Sequence, residues 1–173
     1  MKQMSHLART LFLSTLMATA VSLPAIAAQA APAPQIRIDV PVVLKQAKVV
    51  FNMDHAAFSG DTPIGLKHMT QMLERFKQTG TESSLVAVFH GHAGYMLLND
   101  EAYNEARKTK TGNPYRGMIQ DLIKQGVQIE ECAVTMKSNM WVNENLLPGV
   151  KVNSGALGRI VQLVQEGYVM IQP

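Results

Sequence analysis

One cysteine and two groups of histidines carry the chemistry that this sequence of 173 residues could perform. Cys132 is the only thiol, and a thiolate is a strong nucleophile that can also carry sulfur as a persulfide. His90 and His92 flank Gly91, and imidazoles there could orient a substrate, transfer a proton or bind a metal. The alternative for the thiol is ordinary packing, since free cysteines are among the most buried residues.

A soft or borderline metal site is a second interpretation of the same residues. His55, His90 and His92 could form a three-histidine set with Cys132 as a further ligand, although their spacing matches no zinc signature. A lone cysteine excludes an intramolecular disulfide framework and any site built from several cysteines. The sequence also lacks the glycine-rich phosphate motifs and the G-x-S-x-G motif. We therefore expect no organic cofactor.

Charge near the thiol would decide whether it ionises. Lys137 or a protonated histidine close to Cys132 would lower its pKa, whereas Glu130 and Glu131, the two residues before it, would raise it. Sequence spacing alone leaves this balance open.

Residues 1–30 have the layout of a secretory signal peptide. Basic residues occur within the first nine positions, an apolar stretch covers 11–23, and small residues allow cleavage after Ala27 or Ala30. The apolar stretch is shorter than the roughly 20 residues that a spanning helix needs. We expect export to the periplasm and no membrane span after cleavage.

Composition argues for a folded domain without a nucleic-acid partner. The chain is 47% hydrophobic and 17% charged, which excludes disorder over its whole length. Its formal net charge is +3, from 16 Lys and Arg against 13 Asp and Glu. Cleavage would remove Lys2 and Arg9 and no acid, leaving 14 against 13 and a net charge of +1. Such a small excess does not indicate nucleic-acid binding.

The elements that must position these groups follow a strand–helix alternation over residues 48–173, after an N-terminal tail over 31–47. In the tail, the alternation of Ile36, Ile38 and Val40 with polar residues could form an edge strand. Apolar runs predict strands over 49–51, 84–89, 127–134, 150–152 and 168–171. Amphipathic patterns predict helices that begin after Thr62, after Asp100, near Met118 and after Ser154.

This alternation predicts a single three-layer α/β/α domain with a mainly parallel sheet of about five strands. In such sheets ligands bind beyond the carboxyl ends of the strands. Asp54 and His55 follow the first of these strands, His90 and His92 follow the second, and Cys132 lies near the end of the third. We therefore expect all five side chains at one edge of the sheet.

Six short motifs in this order resemble the DsrE/DsrF-like family, in particular its exported branch. The motifs are KVVFNMD at 48–54, FHGHA at 89–93, NP at 113–114, GVQIEECAVTM at 126–136, LLPGV at 146–150 and QEGY at 165–168. The resemblance covers residues 48–173 and implies a compact α/β domain that assembles into homo-oligomers. It also implies that Cys132 matches the cysteine on which cytoplasmic members receive sulfur and pass it on as a persulfide.

The leading hypothesis is therefore a periplasmic protein that handles sulfane sulfur, as a carrier or transferase component that works with a sulfur donor or acceptor protein. Cys132 would be the catalytic residue, and the pocket around it would be formed by His55, His90, His92, Asp54, Thr135 and Lys137. Two alternatives remain: a non-catalytic module that binds a metal or a small ligand, and an oligomeric structural protein with an inert cysteine.

Overall fold

The computed structural model describes residues 35–173. Contacts divide the chain into two units, Met1–Asp39 and Val40–Pro173, so only the last five residues of the first unit are described. The predicted signal peptide lies outside the described residues. Among the residues from 35 onward, no helix has the length and apolar character needed to cross a membrane.

Five parallel strands form the central sheet. The seven strands of the described residues are β1 (Gln46–Met53), β2 (Phe58–Ser59), β3 (Thr62–Pro63), β4 (Glu82–Phe89), β5 (Gln128–Cys132), β6 (Lys151–Asn153) and β7 (Val169–Ile171). The sheet has the order β6-β5-β4-β1-β7, and β2 and β3 form a separate antiparallel pair. The predicted mainly parallel α/β sheet is confirmed.

Helices cover both faces of this sheet. They are α1 (Ile64–Thr79), α2 (Asp100–Arg107), α3 (Arg116–Lys124), α4 (Ala133–Ser138) and α5 (Ala156–Gln165), with short 3-10 segments at Gly91–Leu97 and Asn143–Asn145. One face packs against α1 and α3, and the other against α5. Because β1 and β4 are buried on both faces, their sequences read as nearly continuous apolar runs.

The predicted helix after Thr62 is α1, and its ends follow from two residues. Pro63 lies directly before the first helical residue, and Gly80 ends the helix in the left-handed conformation with φ of 67°. Inside the helix, Gly65 allows α1 to approach β1, because a Cβ there would lie 2.5 Å from the Met53 sulfur. The helix thus holds the strand that leads to Asp54 and His55.

The predicted edge strand in the tail is wrong. Residues 35–40 form no strand, and the side chains of Ile36, Ile38 and Val40 are 89%, 70% and 80% exposed. Alternation shows which residues share a face, but a strand also needs a partner for its backbone groups.

The third predicted strand is also too long at its carboxyl end. It ends at Cys132, and the next residues form α4 instead of continuing the strand to Val134. Smaller differences occur at helix starts: Asn99 caps α2 through the amide of Ala102, where Asp100 was expected, and Gly155 precedes α5 in place of Ser154. The apolar residues after Cys132 belong to a helix face, which a short window cannot distinguish from a strand.

A buried ion pair joins β5, β6 and α5. Glu130 is 3% exposed, and Arg159 Nε donates to its Oε1 and Oε2 at 3.0 and 3.1 Å. Gln128 and Asn153 donate to the same carboxylate. Burial raises the pKa of Glu130, but these donors outweigh it, and the pKa lies below its usual value. The ionised form is therefore the one that the fold stabilises.

We predict that Glu130→Gln lowers the free energy of unfolding at pH 7 by about 3 kcal/mol, because it leaves Arg159 without its charged partner. A pKa lowered by folding gives stability that is present above the unfolded pKa near 4.5 and is lost as pH falls through the folded value. Urea unfolding should therefore show the two proteins converging as the pH falls through the folded pKa of Glu130, which lies below 4.5. Asp121→Asn, which removes an exposed pair with Lys124, should cost less than about 0.5 kcal/mol; an equal cost would contradict the prediction.

Candidate functional site

Five polar side chains are linked at the carboxyl ends of β1, β4 and β7. His90 Nε2 lies 2.7 Å from Asn52 Oδ1, and Asn52 Nδ2 donates to Gln172 Oε1 at 2.6 Å. Gln172 Nε2 donates to Asp54 Oδ1 at 2.7 Å, and the same oxygen pairs with His55 Nδ1. We call these five residues the edge network. It holds His90 and His55 in place through three strands.

Two groups of the edge network have shifted pKa values, Asp54 and His90. The hydrogen bond from His55 lowers the pKa of Asp54, helped by Gln172, against a smaller effect of burial. Burial lowers the pKa of His90, and the nearby Asp54 charge only partly opposes this. Asp54 is therefore a carboxylate, and His90 is mainly an uncharged hydrogen-bond partner.

Cys132 lies on the opposite face of the sheet from α1 and α3. It is 4% exposed and packs with residues of β1, β4 and α5, namely Val50, Val86, Val88, Ala156, Ile160 and Leu163. The first amide of α5, Ala156 N–H, donates to Cys132 Sγ at 3.3 Å. The sulfur is thus enclosed by aliphatic side chains but has a polar partner.

Backbone amides favour the thiolate form of Cys132. Burial raises the pKa of the thiol, but the amides of Thr135, Ala156 and Val134, together with the Thr135 hydroxyl, outweigh it and lower the pKa below its usual value. These amides belong to the first turns of α4 and α5, where N–H groups are not used within the helix. Lys137 is exposed on the last turn of α4, and the groups that lower the pKa of the thiol are amide and hydroxyl donors.

Glu131 is a buried carboxyl group with an unused oxygen. It is 0% exposed, its Oε1 accepts from Cys132 N–H at 3.1 Å, and its Oε2 has no hydrogen-bond partner among the described residues. Burial raises its pKa to about 8, against a smaller lowering by the Cys132 amide. Gly94 covers it closely, since a Cβ there would lie 2.8 Å from Oε1. At pH 7 Glu131 is protonated.

A cleft of about 800 Å³ opens above the carboxyl edge, on the side of α2 and α4. Its walls come from the segment after β1, the 3-10 segment after β4, and α2 and α4. Basic groups are supplied by His55, His92 and Arg107, and aromatic rings by Phe58, Tyr95 and Trp141. Thr135, Ser138 and Asn139 add polar groups from α4. Its volume is typical of a small-molecule site.

The structure brings together only part of the predicted site. His55, His92 and Thr135 line the cleft, whereas Cys132 packs on the other face and His90 points into the edge network. Thr135 connects the two regions, because its Oγ1 accepts from Gly91 N–H at 2.9 Å and its amide favours the Cys132 thiolate. The thiol and the histidines therefore do not share one pocket.

The predicted metal set is not assembled. Over residues 35–173 no group of three or more His, Cys, Asp or Glu side chains is placed to hold a metal ion. His55 pairs with Asp54, His90 contacts Asn52, and Cys132 lies on the far face of the sheet. The hypothesis of a metal bound by His55, His90, His92 and Cys132 is therefore wrong, because the fold does not bring these four side chains together.

Sequence reasoning missed four residues that define these sites: Asn52, Arg107, Glu131 and Gln172. Asn52 precedes the predicted strand-end residues and shares a face with Val50, so alternation could have indicated it. Gln172 carried no signal, because its partner Asn52 is 120 positions away. Glu131 was considered only as a charge that would disfavour the thiolate.

One family model matches most of the chain. The model of the DsrE/DsrF-like family matches residues 26–173. Among solved structures, the chain is similar to MTH1491, a protein of unknown function from Methanobacterium thermoautotrophicum, with a TM-score of 0.57 and 23% identity over 73% of this chain and 99% of that one. It is also similar to the YchN protein of E. coli, with a TM-score of 0.53 and 16% identity over the same shares. At these identities the likeness to the two structures shows the fold alone. No curated protein matches the chain.

We predict that Glu131→Gln stabilises the protein above pH 8. A carboxyl whose pKa is raised to about 8 keeps its proton when folded, while the unfolded chain ionises near pH 4.5. The free energy of unfolding therefore falls as pH rises from 4.5 to 8, by a few kcal/mol in total. The glutamine keeps the oxygen that accepts from Cys132 N–H and cannot ionise.

Urea unfolding from pH 5 to 9 should give a wild-type minus variant difference that becomes steadily more negative up to pH 8 and then levels off. Glu74→Gln, at an exposed site on α1, should give a flat difference. A flat difference for Glu131→Gln as well would contradict a protonated Glu131.

Proposed function

The chain belongs to the DsrE/DsrF-like family, which is related to sulfur relay, and from this we propose that it handles sulfane sulfur with Cys132 as the persulfide carrier. The observation that carries the proposal is the position of Cys132 Sγ, which accepts an amide N–H from Ala156 at 3.3 Å beside the first turn of α4. This environment lowers the pKa of the thiol, and a thiolate is the form that accepts sulfur.

The chemical step is a transfer of neutral sulfur between two thiol groups. The Cys132 thiolate attacks the terminal sulfur of a donor persulfide, forming a new S–S bond while the donor S–S bond breaks. The donor leaves as a thiolate, and the transferred sulfur keeps its proton. Atoms and charge balance without an external oxidant, because the donor supplies sulfur already at the oxidation level that Cys132 receives. Delivery to an acceptor thiol is the same step in reverse.

The enclosed position of Cys132 suits a protein that carries a reactive persulfide. The aliphatic residues around Cys132 exclude water and oxidants from the sulfur, while the amides of Thr135, Ala156 and Val134 supply the donors that an anionic sulfur needs. Burial at 4% exposure also favours the competing interpretation of an inert packed cysteine. The two interpretations differ in whether the native thiol accepts sulfur.

We also propose that the protein is exported to the periplasm and forms a homo-oligomer. The signal-peptide pattern of residues 1–30 supports export. Exposed apolar side chains support association: α5 presents Leu157, Val161 and Val164 at 73%, 56% and 48% exposure, spaced along one face. The adjoining edge strand β7 exposes Val169 and Met170. Contiguous apolar surface of this kind marks interaction sites, and the open edge of β7 adds unpaired backbone groups.

We predict that the native protein gains the mass of one sulfur atom on Cys132 when it is incubated anaerobically with glutathione persulfide. Since Cys132 is the only cysteine, intact-mass spectrometry locates the added sulfur without ambiguity. Cys132→Ser should gain nothing. Thr135→Val, which keeps the side-chain size but removes the hydroxyl that favours the thiolate, should react several-fold more slowly at pH 7.

Two controls separate a carrier from an inert cysteine. Ser138→Ala, which removes a hydroxyl that bonds within α4, should react at the wild-type rate. The urea-unfolded chain should gain sulfur without the dependence on Thr135. If the native protein gains no sulfur while the unfolded chain does, Cys132 is only packed and the carrier hypothesis is wrong.

Native mass spectrometry of the protein expressed from its full sequence tests export and assembly together. We predict that protein from the periplasmic fraction begins at Ala28 or Ala31 and is an oligomer. Val161→Glu should shift it to the monomer, because a charge on the apolar face of α5 formed by Leu157, Val161 and Val164 would be buried in the interface. The control is Met140→Glu, which should leave the oligomer intact. The Met140 side chain is 90% exposed and follows α4, so it is not part of the apolar face of α5. An uncleaved wild type would contradict the proposed export, and a monomeric wild type would contradict the proposed homo-oligomer.

A further inference from the structure

We infer that the cleft above the carboxyl edge is a binding site for a small organic anion with a planar ring, such as an aromatic carboxylate. This inference goes beyond sulfur transfer, because the cleft is lined by residues other than Cys132 and lies on the other side of the sheet. It depends on the charge of the lining groups, on the arrangement of the rings, and on the polar groups of the floor.

The ionisable side chains that line the cleft are chiefly bases. Its nitrogen-bearing ionisable groups are His55, His92 and Arg107, and no carboxylate lines it among the described residues. Arg107 forms no ion pair with any acid in residues 35–173. Its guanidinium charge is therefore available to a ligand, and guanidinium binds a carboxylate through two parallel hydrogen bonds.

The rings of the cleft hold Arg107 and leave an aromatic surface. The Arg107 guanidinium lies 4.3 Å from the centre of the Tyr95 ring, so its flat face is occupied and its N–H edges remain free. Tyr95 belongs to a cluster of rings with Tyr103 and Tyr115, at centroid distances of about 6 Å. The stacked guanidinium is thus fixed by packing before a ligand arrives.

Trp141 and Phe58 supply further apolar surface in the same cleft. Phe58 is tilted against Tyr115 with their ring centres 6.0 Å apart, which connects this wall to the ring cluster. Trp141 is partly buried against the main core. A ligand with a planar ring could pack on these faces while its charged group reaches Arg107, whereas an inorganic anion would leave the rings unused.

The floor of the cleft offers hydroxyl and amide groups without a negative charge. Thr135, Ser138 and Asn139 line it from α4. Glu131 lies close to this floor, against Gly94 and beside the Thr135 methyl group. Burial keeps it protonated at pH 7, so it does not repel an anion. The ionised acid beside the cleft, Asp54, is paired with the lining residue His55, so Arg107 carries the positive charge that remains for a ligand.

The only tryptophan of the chain lines the cleft, so its fluorescence reports binding directly. We expect benzoate to change Trp141 fluorescence saturably, with a Kd below about 1 mM, and benzamide, its neutral analogue, to bind at least about tenfold more weakly. Inorganic phosphate should also bind at least about tenfold more weakly, because it cannot use the rings. Calorimetry on the same samples measures the affinity without relying on fluorescence.

Arg107→Gln should weaken benzoate binding at least about tenfold. The matched control is Arg75→Gln, the same change at an exposed site on α1 that lines a different groove, and it should bind benzoate as the wild type does. Both sites are exposed, so both variants should fold. The inference is wrong if benzoate gives no saturable change, if benzamide or phosphate binds as tightly, or if Arg107→Gln and Arg75→Gln bind equally well.

Discussion

The alternation of side chains along β5 determines on which face of the sheet the thiol and its two neighbouring carboxyl groups lie. Ile129 and Glu131 point to the face covered by α1 and α3, while Glu130 and Cys132 point to the face covered by α5. Parallel pairing with β4 fixes this register, and a shift by one residue would exchange the two sets. The thiol and the cleft therefore share an edge of the sheet but lie on opposite faces.

Two neighbouring carboxyl groups of β5 lie on opposite faces of the sheet and differ in their protonation state. Glu130 receives hydrogen bonds from Arg159, Gln128 and Asn153 and is held ionised. Glu131, one residue later, is buried against Gly94 with one oxygen unpaired and is held protonated. The anion helps to join α5 to the sheet, and the neutral acid adds no negative charge to the cleft side. Adjacent residues of one type thus have opposite protonation states, because a strand places them in different environments.

Much of the fold follows from local signals, and much of the site does not. Pro63, Gly80 and the apolar runs of β1 and β4 predict the elements of a parallel sheet, and its carboxyl edge does collect Asp54, His55, His90 and His92. The face on which each side chain lies depends on where a strand ends, and α4 begins one residue after Cys132. The apolar Val134 looked like a continuation of β5. Gln172 links Asn52 to Asp54 in the edge network, and tertiary packing brings it to Asn52 from 120 positions away.

The shortness of β6 has a consequence for how the thiol is reached. This strand has three residues, lies at the border of the sheet and pairs only with β5, placing Asn153 opposite Cys132. Border segments with few pairings open more readily than the rest of a protein. Fraying that spreads from this segment into the first turn of α5, which packs on the sulfur, would uncover it while β1 and β4 stay folded. The frequency of that local unfolding, which amide hydrogen exchange reports, would then set how often a partner meets the thiol.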